Sequence, residues 1–246
     1  MPTSTDAGIR YTPGTKQKVL VVAERLDRVY GSPRLENPFD PVDDLIFILL
    51  SGRTGPEACV ATFHALKAKY EAWDALAREG DSPALRAIMR GAGLSQRRST
   101  YLAALLRRLI GDFGTVTLDP LRSMSAERAE EYLVGLPGVG CKTAKCVLLY
   151  ALGRKVFPVD AHVRRILGRL GLMNPAVRLE YAQQAVESLV PARVRYSLHV
   201  NLVAHGRAVC RGSVPRCADC AVRGVCAYAK SSPKRPQPRS RRRSRR

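Results

Sequence analysis

The chain has 246 residues, 46% of them apolar, enough to bury a sizeable core in one or two domains. Its formal charge is +20; nine positive charges fall in residues 230–246, which leaves +11 on the rest, and so one-sided a balance points to a polyanion partner, most often nucleic acid, rather than to solubility alone. No apolar run reaches the roughly 20 residues of a membrane span, and residues 1–15 lack the apolar stretch of a secretory signal, so the chain is expected to be cytoplasmic. There, seven cysteines argue for metal or redox chemistry rather than disulfides.

Residues 1–15 carry Gly, Pro, Ser and Thr and are expected to fray. Over 16–30, Val19, Val22, Leu26 and Val29 recur at helical spacing, and Gly31-Ser32-Pro33 ends that helix. A proline-bearing loop leads to a buried helix with Val42, Leu45, Ile46, Leu49 and Leu50 inward. Pro56 suits the first turn of a helix running to about Tyr70. Trp73 to Ala77 is a short apolar turn, and Asp81-Ser82-Pro83 starts another helix that ends between Gly91 and Gly93. Residues 95–110 form a long amphipathic helix with Arg97, Arg98, Arg107 and Arg108, stopped by Gly111. Asp119-Pro120 breaks the chain before the next helix, and further helices fall at about 161–171, 177–190 and 195–209. No segment shows strand periodicity and no repeat of solenoid length is present, so the fold class is all-α. The Lys/Arg/Ser/Pro stretch 230–246 cannot bury a core and is expected to be a disordered arm that binds DNA non-specifically.

The centre of the chain is Leu136-Pro137-Gly138-Val139-Gly140-Cys141-Lys142. Helical patterns lie on both sides, with Ala126, Ala129, Tyr132 and Leu133 before it and Ala144, Val147, Leu148 and Tyr150 after it. This is helix, tight glycine turn, helix. The amides that open the second helix lack partners within it and can bind an anion such as a DNA phosphate. Lys142 alone would be read as a phosphate contact. Asp160, eighteen residues on, opens a helix and would serve as its N-cap. Four cysteines follow as Cys210-x6-Cys217-x2-Cys220-x5-Cys226. Four thiolates can hold zinc or an iron–sulfur cluster, and spacing alone does not decide between them.

Together the LPGVG turn, Lys142, the Val159-Asp160-Ala161-His162 run and the four cysteines resemble the helix–hairpin–helix DNA glycosylases, and within them the endonuclease III family, over about residues 16–228. The resemblance implies two helical lobes with a DNA cleft between them. One is continuous, 38–154, with the hairpin at about 126–153. The other is discontinuous, 16–37 plus 155–229, and carries a [4Fe–4S] cluster on Cys210, Cys217, Cys220 and Cys226. It also implies a base excision repair enzyme, a bifunctional glycosylase and AP lyase that removes oxidised pyrimidines from duplex DNA through a Schiff base on Lys142. Asp160 would support the charge or proton transfers, with His162 a structural neighbour. The partner is double-stranded DNA with damaged bases or abasic sites, near the nucleoid, with no membrane; a monomer suffices.

DNA contacts are expected from Leu136, Gly138, Val139 and Gly140 of the turn, from Arg165, and from Arg211 and Arg216 on the cysteine loop. Two wedge loops would fill the gap left by an everted base, one through Arg53 and the other through Leu94. Arg53 departs from the family, which commonly has glutamine there, and this puts lesion preference in doubt. For Lys142, helix-start geometry, Lys145 and the arginines of 164–169 are the expected sources of positive surroundings. Cys59, Cys141 and Cys146 are expected in or near the core. The alternatives are a mismatch or adenine glycosylase, a DNA-binding protein of this fold with weak turnover, and a zinc-stabilised nucleic-acid binder.

Overall fold

The computed structural model describes residues 13–231 except 53, 92, 95 and 175. Arg53, residues 1–12 of the expected frayed segment and 232–246 of the expected basic arm therefore lie outside the described residues. Those described form α1 (Pro13–Tyr30), α2 (Pro41–Ser51), α3 (Pro56–Lys69), α4 (Trp73–Glu79), α5 (Pro83–Gly91), α6 (Gln96–Phe113), α7 (Ala126–Val134), α8 (Cys141–Tyr150), α9 (Ala161–Leu170), α10 (Leu179–Leu189), α11 (Arg195–Ala208) and α12 (Ala227–Ser231), with short 3-10 turns and no strand among them.

Local chemistry sets the helix starts. Asp40 caps α2, accepting from the Val42 and Asp43 amides at 2.9 Å, and Pro41 fills the first turn, where a missing N–H costs nothing. Ser125 caps α7 by accepting from Arg128 N–H. Asp160 caps α9, which ends at Gly171 in the left-handed region at φ 74°.

Two hydrophobic cores result. The first spans residues 42–156, with Leu45, Leu50, Leu66, Leu76, Leu105, Leu106 and Leu109 buried among α2–α8. The second joins Val19, Val22, Ala23 and Leu26 of α1 to apolar residues from Phe157 through Cys226. The chain leaves α8 through a turn at 151–153, with Gly153 at φ 63°, and a non-helical segment, 154–160, crosses from one core to the other. Val29 does not share the buried face of α1 as its spacing suggests; it is 57% exposed, at the edge of the apolar arc, and the next residue, Tyr30, takes the inward position against the second core.

Candidate active site

The crossing segment fixes Asp160. Buried Gln183 of α10 acts as a surrogate strand, its side-chain amide donating to Phe157 O and its Oε1 accepting from Val159 N–H at 2.9 Å. Between them, Pro158 O accepts from His199 Nδ1 at 3.0 Å. Asp160 then turns into α9, its Oδ1 accepting the Val163 amide at 2.7 Å. Its backbone and one carboxylate oxygen are thereby held, which leaves the other oxygen for chemistry.

Lys142 is placed by the hairpin turn. Gly138 takes φ +78°, a region that costs a side chain dearly, and a Cβ there would meet Tyr101 of α6 at 3.1 Å, so glycine serves both the turn and the close approach. Gly140 opens α8 without a side-chain cap, so the first amides of that helix are not satisfied by a side chain at the N-cap. Leu136 and Val139 are buried in the first core and brace the turn from inside. Any contact they make with DNA must come from the backbone rather than from their side chains.

Lys142 and Asp160 line one open cleft of about 920 Å³. Arg164, one of the arginines expected near Lys142, lines it too, and so do Arg97, Arg98 and Arg207, which sequence patterning did not single out as site residues. Arg97 donates to the Tyr101 hydroxyl at 2.7 Å and Arg98 to Leu49 O at 2.9 Å. Both acceptors are neutral, so the positive charge is not cancelled by them. The signal available in the sequence was the doubled arginine at the start of an amphipathic helix.

Several expectations are corrected. Lys145 does not supply positive charge to Lys142. It turns the other way, 9% exposed in its side chain, and pairs with Glu130 at 2.8 Å and Glu187 at 2.6 Å. Burial alone would lower its pKa, but these two carboxylates outweigh burial and raise it. Arg165 is spent on structure: it donates to Cys210 O and Gly206 O and bonds His162 Nδ1, all within 3.0 Å. Arg169 likewise binds Arg211 O and Gly212 O. Leu94 is 4% exposed and packs in the first core rather than projecting as a wedge. Arg211 and Arg216 are exposed, with Arg216 paired to Asp219 at 2.8 Å.

Thiol reactivity beside the lysine is not expected at neutral pH. Burial pushes Cys146 up to about 12, and burial followed by the Glu130 charge pushes Cys141 up to about 11. Cys59 and Cys146 are buried as anticipated, and Cys141 is half-buried.

Among the described residues no group of three His, Cys, Asp or Glu side chains is arranged to hold a metal ion. The expected ligands Cys210, Cys217, Cys220 and Cys226 therefore do not form a closed cage. Three of the sulfurs instead contact protein groups: Cys210 accepts from Arg169 at 3.3 Å, Cys226 donates to Arg169 O at 3.3 Å, and Cys220 meets His205 Nε2 at 3.4 Å. The four do share one region. Burial raises Cys217 and Cys220, and the other cysteines raise them further. An all-sulfur donor set at the edge of a core, with thiols that would repel one another as thiolates, fits a positively charged centre, zinc or an iron–sulfur group alike.

Residues 46–192 match the family model described as HhH-GPD superfamily base excision DNA repair protein. The chain is 28% identical over 177 residues to the DNA glycosylase/AP lyase ROS1 of Arabidopsis thaliana, covering 65% of this chain but only 13% of that relative. It is 28% identical over 229 residues to an endonuclease III of Synechocystis sp., covering 91% of this chain and 98% of that one. In three dimensions it resembles an endonuclease III solved in a non-covalent complex with DNA, with a TM-score of 0.78 at 22% identity over 90% of this chain and 98% of the other.

Proposed function

This chain belongs to the HhH-GPD superfamily of base excision DNA repair proteins, and from that premise we propose that it is a bifunctional DNA glycosylase and AP lyase acting on oxidised pyrimidines in duplex DNA. The observation that carries the reading is an amine, Lys142, and a carboxylate, Asp160, on the wall of one arginine-lined cleft.

The Lys142 lone pair forms a bond to C1′ of the damaged nucleotide while the C1′–N bond breaks, its electron pair leaving with the base, which takes up a proton. Loss of an Nζ proton and opening of the C1′–O4′ bond leave a protonated imine. Removal of a C2′ proton then expels the 3′-phosphate with the C3′–O electron pair. Asp160, held by its helix cap, stabilises the positive charge that grows on the sugar. Arg97, Arg98 and Arg207 meet the phosphates, and the uncapped start of α8 offers its amides to another. Everting the nucleotide costs a few kcal/mol, least where the base is damaged. Cys210, Cys217, Cys220 and Cys226 would hold a [4Fe–4S] cluster, which when bound supplies a covalent brace for the loop bearing Arg211 and Arg216.

Borohydride trapping tests the reading. Duplexes with a thymine glycol or an abasic site are expected to cross-link to the wild type and neither to Lys142→Ala. Trapping on the abasic site alone would leave a lyase with a different base preference. Tight binding without any trapping would leave a DNA-binding protein and make Lys142 a phosphate contact.

A further inference from the structure

Two hydrogen-bonded side chains near the site take no part in the chemistry given to Lys142 and Asp160. Tyr150, the last residue of α8, lines the cleft with them. His199 of α11 is 0% exposed. Tyr150 Oη meets His199 Nε2 at 2.5 Å, and His199 Nδ1 meets Pro158 O at 3.0 Å. A carbonyl oxygen can only accept, so Nδ1 carries the proton, Nε2 accepts and the Tyr150 hydroxyl donates. Burial lowers His199 to about 4, which keeps the ring neutral at the pH of intact DNA and preserves this direction of donation. The Tyr150 and Phe157 rings pack on it, with centroids 5.6 and 5.8 Å away, and hold its orientation.

The pair sits where the chain changes cores: Val156 packs in the first and Phe157 in the second. Apolar contact has no preferred direction and would let the crossing segment slide, whereas hydrogen bonds are directional and fix its register. Gln183 holds Phe157 and Val159, but ties them to α10 of the second core. The charged chain from Lys145 through Glu187 to Arg195 reaches the segment at Lys155, before the change of core. His199 instead joins Pro158 to Tyr150, so the segment is pinned back onto the helix that carries Lys142, two residues before Asp160.

We propose that Tyr150 and His199 are positioning residues, a neutral staple across the loop 151–157 that sets Asp160 against Lys142. The role rests on the lyase reading given above. Neither residue gains or loses a proton in it. Both act through the backbone of Pro158, which fixes where the Asp160 carboxylate stands when positive charge forms on the imine.

The test is the single-turnover rate of borohydride trapping on a saturating abasic duplex, well below the melting temperature, with duplex affinity measured on the same full-length proteins. Tyr150→Phe keeps the ring and removes only the hydroxyl. It is expected to trap about 30-fold more slowly than wild type, within the roughly 100-fold that a displacement of about 1 Å can cost. Duplex affinity should be unchanged, and melting temperature should fall by a few degrees for one lost hydrogen bond. In an Asp160→Asn background, followed over hours, Tyr150→Phe should slow trapping by less than about twofold, because the carboxylate it positions is already gone. Equal trapping by Tyr150→Phe and wild type would overturn the role while leaving the lyase reading intact. Loss of affinity in step with rate would make the pair a packing element and overturn it too. So would a full loss of rate repeated in the Asp160→Asn background, since the pair would then act elsewhere. If wild type itself does not trap, the lyase reading falls and takes this inference with it.

Discussion

The core of residues 42–156 closes by apolar packing, largely of helices close in sequence, such as α2 on α3, α4 on α6 and α7 on α8, with α8 returning onto α2. The core of residues 19–26 and 157–226 is stitched by polar contacts over more than 150 residues of sequence: Lys18 Nζ on Leu170 O, Tyr30 Oη on His205 Nδ1, and Asn201 Nδ2 on Asp27. The first region supplies Lys142 and the second Asp160. The proposed chemistry therefore needs both cores in register, and the two are expected to fail in different ways.

The largest effect should come from the sulfur loop. Cys226 is buried at the edge of the second core. Cys226→Ala is expected to abolish iron binding and its visible sulfur-to-iron absorption, and to destabilise the second core by more than about 4 kcal/mol. The first core should retain its protection in hydrogen exchange. Iron analysis and exchange on one preparation check this. Uniform loss of protection in both cores would mean that they fold as one unit and that the contrast does not hold.

A smaller effect is expected where the cores meet. Glu130 and Lys145 come from α7 and α8, and Glu187 from α10; Arg195, at the start of α11, pairs with Glu187 at 3.1 Å and also holds Lys155 O on the crossing segment. Removing one partner of a buried pair strands the other, so Lys145→Met should cost about 3 kcal/mol. It should also separate one unfolding transition into two. Glu130→Gln with Lys145→Met should recover part of the loss in a double-mutant cycle. A single sharp transition in Lys145→Met would show that apolar contact, not this cluster, couples the cores.

Much of this was legible in sequence, and what was not has a common cause. The boundaries of α7, α8 and α9 follow from Ser125, the glycine turn and Asp160, because caps and turns are local. The assignment of Asp160 as an N-cap needed only its own neighbours. Lys145 was misread because one turn of helix past Lys142 can face either core, and only the tertiary fold shows Glu187, 42 residues on, waiting for it. Arg165 looked like a phosphate contact because its acceptors, Gly206 O and Cys210 O, are backbone atoms that carry no sequence signature. Asp44 drew no notice in the sequence: an acid in the first turn of a helix is expected at the surface, and its full burial follows from the packing of other elements on α2, which hydrophobic spacing within α2 does not encode.

The finest distinction between the two halves is the sign of their response to pH. Burial lifts Asp44 to about 7, above an ordinary carboxyl, so between about pH 4 and 7 the folded state binds the extra proton. Its contribution is present at low pH and is lost as pH rises through that window. His199 is buried between Tyr150 Oη at 2.5 Å and Pro158 O at 3.0 Å, and burial lowers it to about 4. Between about pH 4 and 6.5 it is the unfolded state that binds the extra proton, so this contribution is complete above the upper limit and is lost as pH falls. The two slopes are each at most about 1.4 kcal/mol per pH unit and opposite in sign. His205, which burial also lowers to about 4, adds a further slope of the His199 sign to all three proteins, so the comparison is read as each variant's difference from wild type. Relative to wild type, Asp44→Asn should gain stability as pH rises from about 4.5 to 6.5, and His199→Gln, whose amide can still bond Tyr150 and Pro158, should lose it. Urea midpoints across that range measure both. Parallel curves for the three proteins would mean that neither group is held in its buried form, and the electrostatic contrast between the halves would go with it.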